Sequence, residues 1–451
     1  MSAVPISCAG GAESGVAVRE DQKHSTEEQR RTLLELYDAA VKRAHPSRCL
    51  PGALPEPPPN GRIIIAGAGK ASAAMAVAAE QFYRERGLLD RIAGFVTTAH
   101  GYALPTERIE IFEAGHPVPD AASAAAADRA LALAQQAGAE DIVLVLLSGG
   151  ASALWSAPVD GVSLDSKQAL TRDLLKSGAP IHDLNCVRKH LSRIKGGKLA
   201  AAAHPARVVT LAISDVPGDE PATIGSGPTV GDPTTLADAR SVLHRFDITP
   251  APEIAAALDN SANETPKPGA AVLASSEFKL IAAPRASLEA AAEVARHKGY
   301  RVENLGDALE GEARDVARLH ATLAREALNN GERVAILSGG ELTVTVRGSG
   351  SGGPNQEYAL GLVLALDGAQ GIAALAADTD GIDGGGGRPE DPAGALVFPD
   401  TKARASALNL DAATFLANND STTYFRELGD LVLCGPTQTN VNDFRVILVD
   451  P

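Results

Sequence analysis

Short apolar runs alternate with longer amphipathic segments along most of this chain. A short run rich in Val, Ile and Leu predicts a buried strand, whereas apolar positions three and four residues apart predict a helix. We expect strands at 62–66, 93–98, 109–113, 141–147, 208–213, 278–282, 334–337, 342–346, 372–377, 396–397, 430–433 and 444–448. We expect helices at 70–86, 121–137, 167–177, 186–203, 287–298 and 312–329, after a first helix that begins near Ser25 or Thr26.

The alternation of strand and helix patterns indicates an α/β fold. In the first two thirds of the chain it predicts a doubly wound, mostly parallel sheet. The remainder has more strands per helix, which predicts a smaller mixed α/β domain. We therefore expect a flexible N-terminal tail at 1–25, a larger domain at 26–330 and a C-terminal domain at 331–451.

Composition narrows the possible partners. The formal net charge of -15 over 451 residues argues against nucleic acid and anionic membranes. We find no signal-peptide core and no apolar run of about 18 residues, so we expect a cytoplasmic chain that is a monomer or a homodimer. The four cysteines are far apart and lack metal-ligand spacing, which favours reduced thiols.

An acidic loop follows the expected strand at 208–213. Residues 213–235 contain four glycines, four prolines, four carboxylates and no Lys or Arg. Its first carboxylate, Asp215, stands just past the carboxyl end of the strand, where open α/β sheets bind ligands. Asp215 is therefore a candidate catalytic or metal-binding residue, and Asp219, Glu220 and Asp232 are expected to shape the loop.

A glycine turn containing Gly67, Gly69 and Lys70 follows the first strand. It satisfies neither the dinucleotide fingerprint, because Ser72 replaces a third glycine or alanine, nor the P-loop, because Ala71 follows the lysine. We expect the turn to present free N–H groups at a helix start, where an anion offsets the charge of Lys70. A solvated surface lysine is the alternative.

Two Ser-Gly-Gly turns follow buried strands. We expect each to form a nest of N–H groups for an oxyanion, although plain turn chemistry explains each copy equally well. The residues are Ser148, Gly149 and Gly150 in the first turn, and Ser338, Gly339 and Gly340 in the second.

A basic segment at 185–198 interrupts this acidic chain. It contains Arg188, Lys189, Arg193, Lys195 and Lys198, with apolar residues at helical spacing. Such a run is often a solvated helix face. Because it leads into the acidic loop, we expect Arg188 and Lys195 to bind phosphate beside carboxylates that bind Mg²⁺, as phosphoryl transfer requires.

Three further loops carry polar candidates. Asp378, Asp380 and Asp383 lie on a glycine turn at a strand end, and a calcium loop is a rival on composition although the EF-hand spacing is missing. His116 is left out of the mechanism because a lone histidine is more often structural. The glycine-dense loop at 347–357 offers Arg347, Asn355, Gln356 and Glu357 as ligand-binding candidates, with a flexible hairpin as the alternative. The loop at 435–443 offers Asn440, with a plain turn as the alternative.

Taken together, these motifs resemble the glycerate 2-kinase family, whose members have often been called hydroxypyruvate reductases. The resemblance covers the chain from about residue 30 to its end, and several motifs in this order are specific. They are IIIAGAGKA (63–71), GHPVPD (115–120), LLSGGASAL (146–154), NCVRKHLSRIKGGKLA (185–200), SDVPGDEPATIGSGPTVGDPT (214–234), GGPNQE (352–357), DTDGIDG (378–384) and GPTQTNVND (435–443).

The resemblance implies transfer of a phosphoryl group from ATP, with Mg²⁺, to the 2-hydroxyl of D-glycerate. It also implies a Rossmann-like N-terminal domain, a smaller, leucine-rich C-terminal domain and an active site in the cleft between them. By motif position, Lys70 contacts the transferring phosphate or the glycerate carboxylate. Asp215 and Asp380 are the candidates for general base and Mg²⁺ ligand, and which of them has which role stays open. Asp383 is a further candidate metal ligand.

The chain departs from the family pattern at Pro354, where many relatives carry an arginine, and in a longer loop at 384–391. Either Arg347 or Arg193 replaces the missing cation, or the substrate preference of this chain differs. Two other functions stay open: an NAD(P)H-dependent hydroxypyruvate reductase, and a non-catalytic sensor that binds a metabolite or nucleotide.

Overall fold

The computed structural model of the chain describes residues 20–384 and 386–451. The strands are Ile63–Ala68 (β1), Ile92–Ala99 (β2), Ile109–Ala114 (β3), Ile142–Leu147 (β4), Arg207–Ile213 (β5), Ser276–Ala282 (β6), Arg301–Asn304 (β7), Val334–Ser338 (β8), Ile372–Asp378 (β9), Gly394–Val397 (β10), Leu431–Val432 (β11) and Asp443–Val449 (β12). The helices are Glu20–Ala44 (α1), Pro46–Cys49 (α2), Ser72–Glu85 (α3), Ala121–Gln136 (α4), Ala151–Leu154 (α5), Leu164–Lys176 (α6), Ile181–His190 (α7), Lys198–Ala203 (α8), Leu236–Arg245 (α9), Pro252–Asp259 (α10), Pro284–His297 (α11), Ala313–Asn329 (α12), Pro354–Leu366 (α13), Thr401–Ala407 (α14), Ala412–Ala417 (α15) and Ser421–Leu428 (α16).

The chain divides into two compact units. The central unit is Pro46–Ile281, and the terminal unit joins the described residues up to His45 to Ala282–Pro451. This division differs from the boundary expected near residue 330. The segment 282–330 pairs with C-terminal elements, because β7 lies parallel to β8 in the same sheet.

The central unit contains a six-stranded sheet in the order β3-β2-β1-β4-β5-β6. Strand β1 pairs in parallel with β2 and β4, which in turn pair in parallel with β3 and β5. The order reverses between β1 and β4, as in doubly wound sheets that bind ligands at this point. The expected parallel α/β sheet is confirmed, and β1 and β4 are buried throughout as their unbroken apolar runs predict.

The terminal unit contains a mixed sheet in the order β11-β10-β9-β12-β8-β7. Strand β12 runs antiparallel to both β8 and β9. Helices cover both faces of this mixed sheet. Leu33, Leu36 and Tyr37 of α1 belong to the apolar core on one face, and Tyr358 of α13 belongs to the core on the other face. The mixed α/β character expected for the C-terminal part is confirmed.

Several local expectations fail. Residues 1–19 lie outside the described residues, and α1 begins at Glu20, before the start expected near Ser25 or Thr26. The segment 342–346 is not a strand, because only Leu342 in it is fully buried while Val346 is 73% exposed. The helix expected at 186–203 is broken between α7 and α8, where Gly196 and Gly197 adopt φ values of 60° and 82°.

No helix in the described residues combines the length and the apolar character needed to cross a bilayer.

Acid should weaken the packing of α12 on α13 through His320. This side chain is 5% exposed and bonds Tyr358 Oη at 2.8 Å. Burial, with a contribution from Arg445, lowers the pKa of His320 to about 4 from its ordinary 6.5. The unfolded chain therefore binds the proton first, so the stabilisation present above pH 6.5 is lost as the pH falls towards 4, by about 3 kcal/mol.

Hydrogen exchange of the α12 and α13 amides at pH 4.5 and 7 checks this prediction. His320→Gln should reduce the pH dependence of protection. His297→Gln, at an exposed position on α11, should leave that pH dependence intact. Equal pH dependence in both variants would contradict the assignment to His320.

Candidate functional site

Two loops lie side by side at the carboxyl ends of β1 and β4. The N–H of Lys70 donates to the carbonyl oxygen of Gly149 at 2.8 Å, and that of Ala71 donates to Ser148 Oγ at 2.9 Å. The N–H of Ser148 reaches back to the carbonyl oxygen of Ala68 at 3.1 Å. The structure thus brings together two of the expected loops at the reversal of strand order, where open α/β sheets bind ligands.

The free N–H groups are in the second of these loops. The Gly69 N–H donates to the carbonyl oxygen of Thr97 at 3.1 Å. With Lys70 and Ala71 also engaged, the expectation that this first turn offers free N–H groups is wrong. Among the residues that the structure describes, the N–H groups of Gly149 and Gly150 donate to no protein acceptor. An anion here would meet the Ser148–Gly150 turn beside the side chain of Lys70.

Glycine is required at position 69. Its φ is 141°, and an added Cβ would lie 2.0 Å from Ser148 Oγ. Gly69→Ala should therefore push the two loops apart, destabilise the central unit by about 2 kcal/mol and lower turnover about 100-fold. Gly87→Ala is the matched control, because Gly87 also has a positive φ but an added Cβ would meet nothing within 4 Å. Thermal unfolding and steady-state turnover of both variants check this, and equal effects would contradict it.

Gly67 serves the packing of the sheet. It lies inside β1, and an added Cβ would be 2.7 Å from the carbonyl oxygen of Leu146 on β4.

His116 lies against the first Ser-Gly-Gly turn. A Cβ added at Gly150 would be 2.9 Å from His116 Cδ2 and 3.6 Å from Lys70 Cγ. The sequence carried a signal for this neighbour in GHPVPD, although a lone histidine did not justify a role.

The acidic loop begins directly after β5. Ser214 is fully buried and its Oγ accepts the N–H of Val216 at 3.1 Å, which fixes the backbone on either side of the half-buried Asp215. Asp232, in contrast, is fully buried and lies 3.5 Å from Lys189 Nζ. The strand-end position of Asp215 is as expected, while Asp232 stabilises the loop through a buried ion pair.

The cations of the basic segment separate into different environments. Lys189 pairs with Asp232, and Arg193 pairs with Asp128. Arg188 and Lys195 instead converge on Ser152: Arg188 Nη2 lies 2.6 Å and Lys195 Nζ 2.9 Å from its Oγ. The basic segment is therefore not a solvated helix face, because the side chain of Lys195 is only 1% exposed.

In the terminal unit, Asp378 and Asp380 lie on a tight turn at the end of β9. The Asp380 N–H donates to Asp378 Oδ1 at 2.9 Å, and Asp380 Oδ1 accepts the N–H of Ile382 at 2.8 Å. Gly381 has a φ of 94°, and an added Cβ would lie 2.0 Å from the carbonyl oxygen of Gly435. Close packing against this segment holds the buried Asp380 in place.

Asp383 caps α13. Its Oδ1 accepts the N–H of Asn355 at 3.0 Å, and its Oδ2 accepts the N–H of Gln356 at 2.8 Å. Helix α13 starts at Pro354, which lacks an N–H, so the carboxylate satisfies the next two orphan donors. Burial raises the pKa of Asp383 to about 7, against the lowering effect of the Asn355 hydrogen bond. Sequence alone did not reveal this cap.

The other polar residues of this helix start are buried and bound to protein partners. Gln356 Oε1 accepts a hydrogen bond from Thr422 Oγ1 at 2.7 Å. Glu357 pairs with Arg314, whose Nε lies 3.0 Å from Oε1. The side chain of Asn355 donates to Asp443 Oδ1 at 2.6 Å, while its own Oδ1 is buried without a partner among the described residues.

Arg347 and Asn440 lie in two different loops of this unit. The backbone N–H of Arg347 is held by Asn419 Oδ1 at 2.7 Å, and its side chain is exposed. Asn440 is 6% exposed, and its Oδ1 accepts the N–H of Asn442 at 3.1 Å.

The second Ser-Gly-Gly turn differs from the first. Buried Arg445 donates to the carbonyl oxygens of Gly339 and Gly340 and to Ser338 Oγ, and the Gly339 N–H donates to the carbonyl oxygen of Gly306. The guanidinium of Arg445 also pairs with Asp443, whose Oδ2 lies 2.9 Å from Nη1. The turn is thus closed around a cation from the protein. Sequence reasoning missed Arg445, although an arginine within the apolar strand β12 was a signal.

Carboxylates of the described residues do not gather into a protein cage for a metal. In the described ranges, no three His, Cys, Asp or Glu side chains lie close enough together to hold an ion. Mg²⁺ commonly takes only one or two carboxylates, with phosphate and water oxygens completing its shell. Asp215 and Asp380, each at the carboxyl end of a strand, have the chemistry for that smaller contribution.

Known proteins match almost the whole chain. A domain of unknown function (DUF4147) matches residues 32–259, and the MOFRL family matches residues 334–443. A putative hydroxypyruvate reductase of Agrobacterium vitis is 50% identical over 93% of this chain and 94% of its own length. D-glycerate 2-kinase of Thermotoga maritima is 38% identical over 93% of this chain and 98% of its own length.

The fold agrees with a solved relative. The crystal structure of glycerate kinase from Thermotoga maritima has a TM-score of 0.83 and 37% sequence identity, and the match covers 94% of this chain and all of that one. At this identity and coverage, the chain belongs to the glycerate 2-kinase family.

Proposed function

We propose that this chain transfers a phosphoryl group from ATP to the 2-hydroxyl of D-glycerate, giving 2-phosphoglycerate and ADP. The observation that carries the proposal is the Ser148–Gly150 turn, whose two glycine N–H groups stand beside Lys70 at the reversal of strand order. The names of relatives as D-glycerate 2-kinase and glycerate kinase support the choice of reaction.

Lys70 and the two glycine N–H groups are proposed to bind the transferring phosphate. Phosphoryl transfer needs little covalent help from a protein, because positioning and charge stabilisation supply most of the catalysis. Donors that are already fixed in space need no reorganisation when charge develops. The hydrogen bonds that tie Lys70 and Ala71 to the neighbouring turn hold these groups in a fixed relation.

Asp215 and Asp380 are proposed as the general base and the Mg²⁺ ligand, without a fixed order between them. When bound, Mg²⁺ neutralises phosphate charge and ATP supplies the phosphoryl group. The protein's share is to hold one carboxylate at each strand end and to accept the proton of the attacking hydroxyl. We leave Asp383 out of the metal site, because both of its oxygens already accept hydrogen bonds from α13.

The remaining candidates are proposed in two groups. Arg188 and Lys195 bind an anionic group of a substrate, and Arg347 offers an exposed guanidinium to the nucleotide or the acceptor. The second group shapes the loops from within the protein, as their buried contacts indicate: Ser338, Gly339, Gly340, Asn355, Gln356, Glu357 and Asn440.

A hydroxypyruvate reductase is the second candidate, because the Agrobacterium vitis relative carries that name. The loop after β1 argues against it. Ser72 Oγ lies 2.7 Å from the carbonyl oxygens of both Gly69 and Thr97, which share its single O–H donor and close the turn against β2. With its N–H groups engaged as well, this turn lacks the open donors that bind a dinucleotide pyrophosphate.

Parallel assays separate the two candidates. ADP formation from ATP, Mg²⁺ and D-glycerate is expected, with no oxidation of NADH or NADPH in the presence of hydroxypyruvate. Oxidation of either cofactor without ADP formation would replace the kinase by the reductase. Binding of the substrates without either turnover would instead support the sensor.

A further inference from the structure

Arg188 and Lys195 of the central unit meet at Ser152, and Lys167 bonds the carbonyl oxygen of Leu191, three residues after Arg188. Lys167 comes from α6, Arg188 from α7 and Lys195 from the segment between α7 and α8. Lys167 is 5% and Lys195 1% exposed, whereas Arg188 is half-buried. They are close enough that Arg188 and Lys167 both lower the pKa of Lys195, after the larger effect of burial.

Neutral oxygens are the protein partners of these cations. Lys167 Nζ donates to the carbonyl oxygen of Leu191 at 3.0 Å. Lys195 Nζ donates to the carbonyl oxygen of Ser152 at 2.7 Å and to its Oγ, which Arg188 also contacts. No carboxylate of the described residues forms an ion pair with any of the three. Lys189, the neighbour of Arg188, does have such a partner in Asp232.

Buried charges of one sign are costly unless something neutralises them. Each ammonium group has three donors, and Lys167 uses only one of them on the protein. The cluster therefore lacks negative charge, and Lys167 has two donors without a protein acceptor among the described residues. A bound oxyanion would supply both the charge and the acceptors.

The cluster lies next to the proposed phosphate site. Ser152 follows Gly150 by two residues, and its half-buried hydroxyl lies between Arg188 and Lys195. Ser226 of the acidic loop also meets this hydroxyl, with their Oγ atoms 2.9 Å apart. The loops after β4 and β5 thus both reach it.

We propose that Lys167, Arg188, Lys195 and the Ser152 hydroxyl form a binding site for a small oxyanion, either the carboxylate of the acceptor or a phosphate group. Lys167 is the new member of this site. It lies outside every motif that the sequence singled out, and it determines how tightly the anion binds. The inference deepens the proposed function and rests on it only for the choice of anions.

Calorimetric titration of the full chain tests the site without catalysis. D-glycerate and inorganic phosphate are titrated separately, at constant ionic strength and without nucleotide or Mg²⁺. Lys167→Met should weaken binding of at least one of them by about 10-fold or more, as expected for the loss of a charge-assisted hydrogen bond. Weaker binding of D-glycerate alone identifies a carboxylate site, and weaker binding of inorganic phosphate alone identifies a phosphate site.

A purely structural role makes a different prediction. If Lys167 only bonds the Leu191 carbonyl, Lys167→Met should lower the thermal midpoint of the anion-free protein and leave both affinities unchanged. That result, or no binding of either anion by the wild type, would overturn the proposal. We expect instead an unchanged or higher midpoint, because charge repulsion is removed.

Two further variants complete the design. Lys195→Met tests the same site from another element, and the same loss of affinity is expected if Lys167→Met does not fold. Lys176→Met removes an exposed cation from the same helix as Lys167 and should bind both anions as the wild type does. Normal anion binding without ADP formation would refute the kinase and leave this site standing.

Discussion

Asp215→Asn should lower kcat on the order of 10²- to 10⁴-fold, with much less change in ATP affinity. The substitution keeps the size of the side chain and removes its charge and basicity, which contribute that much when a carboxylate acts as general base. Ser214 and Val216 hold the backbone on either side of Asp215, so the loop should keep its conformation. Single-turnover kinetics and nucleotide binding by calorimetry measure the two effects separately.

Glu220→Gln is the matched control for this prediction. Glu220 lies in the same acidic loop, is exposed and has no proposed part in the reaction. Its variant should turn over as the wild type does. If Asp215→Asn kept full turnover, Asp215 would be removed from catalysis. If it lost ATP affinity as strongly as turnover, Asp215 would act through the bound nucleotide and its metal.

Asp383→Ala should produce the largest loss of stability, about 3–5 kcal/mol. It removes the acceptor of two backbone N–H groups and of the side-chain amides of Asn355 and Gln356. Each buried donor left without a partner costs about 1–3 kcal/mol, which solvent entering the vacated space partly offsets. Hydrogen exchange at the start of α13 reports the effect locally.

Glu390→Ala is the control for Asp383→Ala, since Glu390 is exposed in the loop that follows. It should leave the exchange of α13 unchanged. If Asp383→Ala kept the wild-type protection of α13 but abolished Mg²⁺-dependent turnover, the cap would not be the role of Asp383. The original expectation of a metal ligand would then return.

The sequence predicted the central sheet well because its evidence is local. Buried parallel strands are unbroken apolar runs, and β1 and β4 are such runs. Local patterns failed where long-range contacts decide the outcome. The first helix resembles any amphipathic helix before a Rossmann-like sheet, yet its apolar face packs in the core of the terminal unit.

The site shows the same limit. Sequence correctly placed Lys70, Ser148 and Asp215 at strand ends, since each follows a recognisable strand. The sequence did not reveal which backbone N–H groups lack an acceptor. The Ala71 N–H, for example, donates to Ser148 Oγ, and these two residues are 77 positions apart in the chain. Nor did it distinguish the two Ser-Gly-Gly turns: in the described residues the glycine N–H groups of the first have no protein acceptor, whereas Arg445 donates to the glycine carbonyl oxygens of the second.

The position of the phosphate in the product tests the central claim most directly. After reaction of the protein with ATP, Mg²⁺ and D-glycerate, the proton-coupled phosphorus NMR signal of the product should be a doublet, because a phosphate on C2 couples to a single methine proton. That result identifies 2-phosphoglycerate. A triplet from a phosphate on C3, or no phosphorylated product at all, would contradict the assignment of this chain as a glycerate 2-kinase.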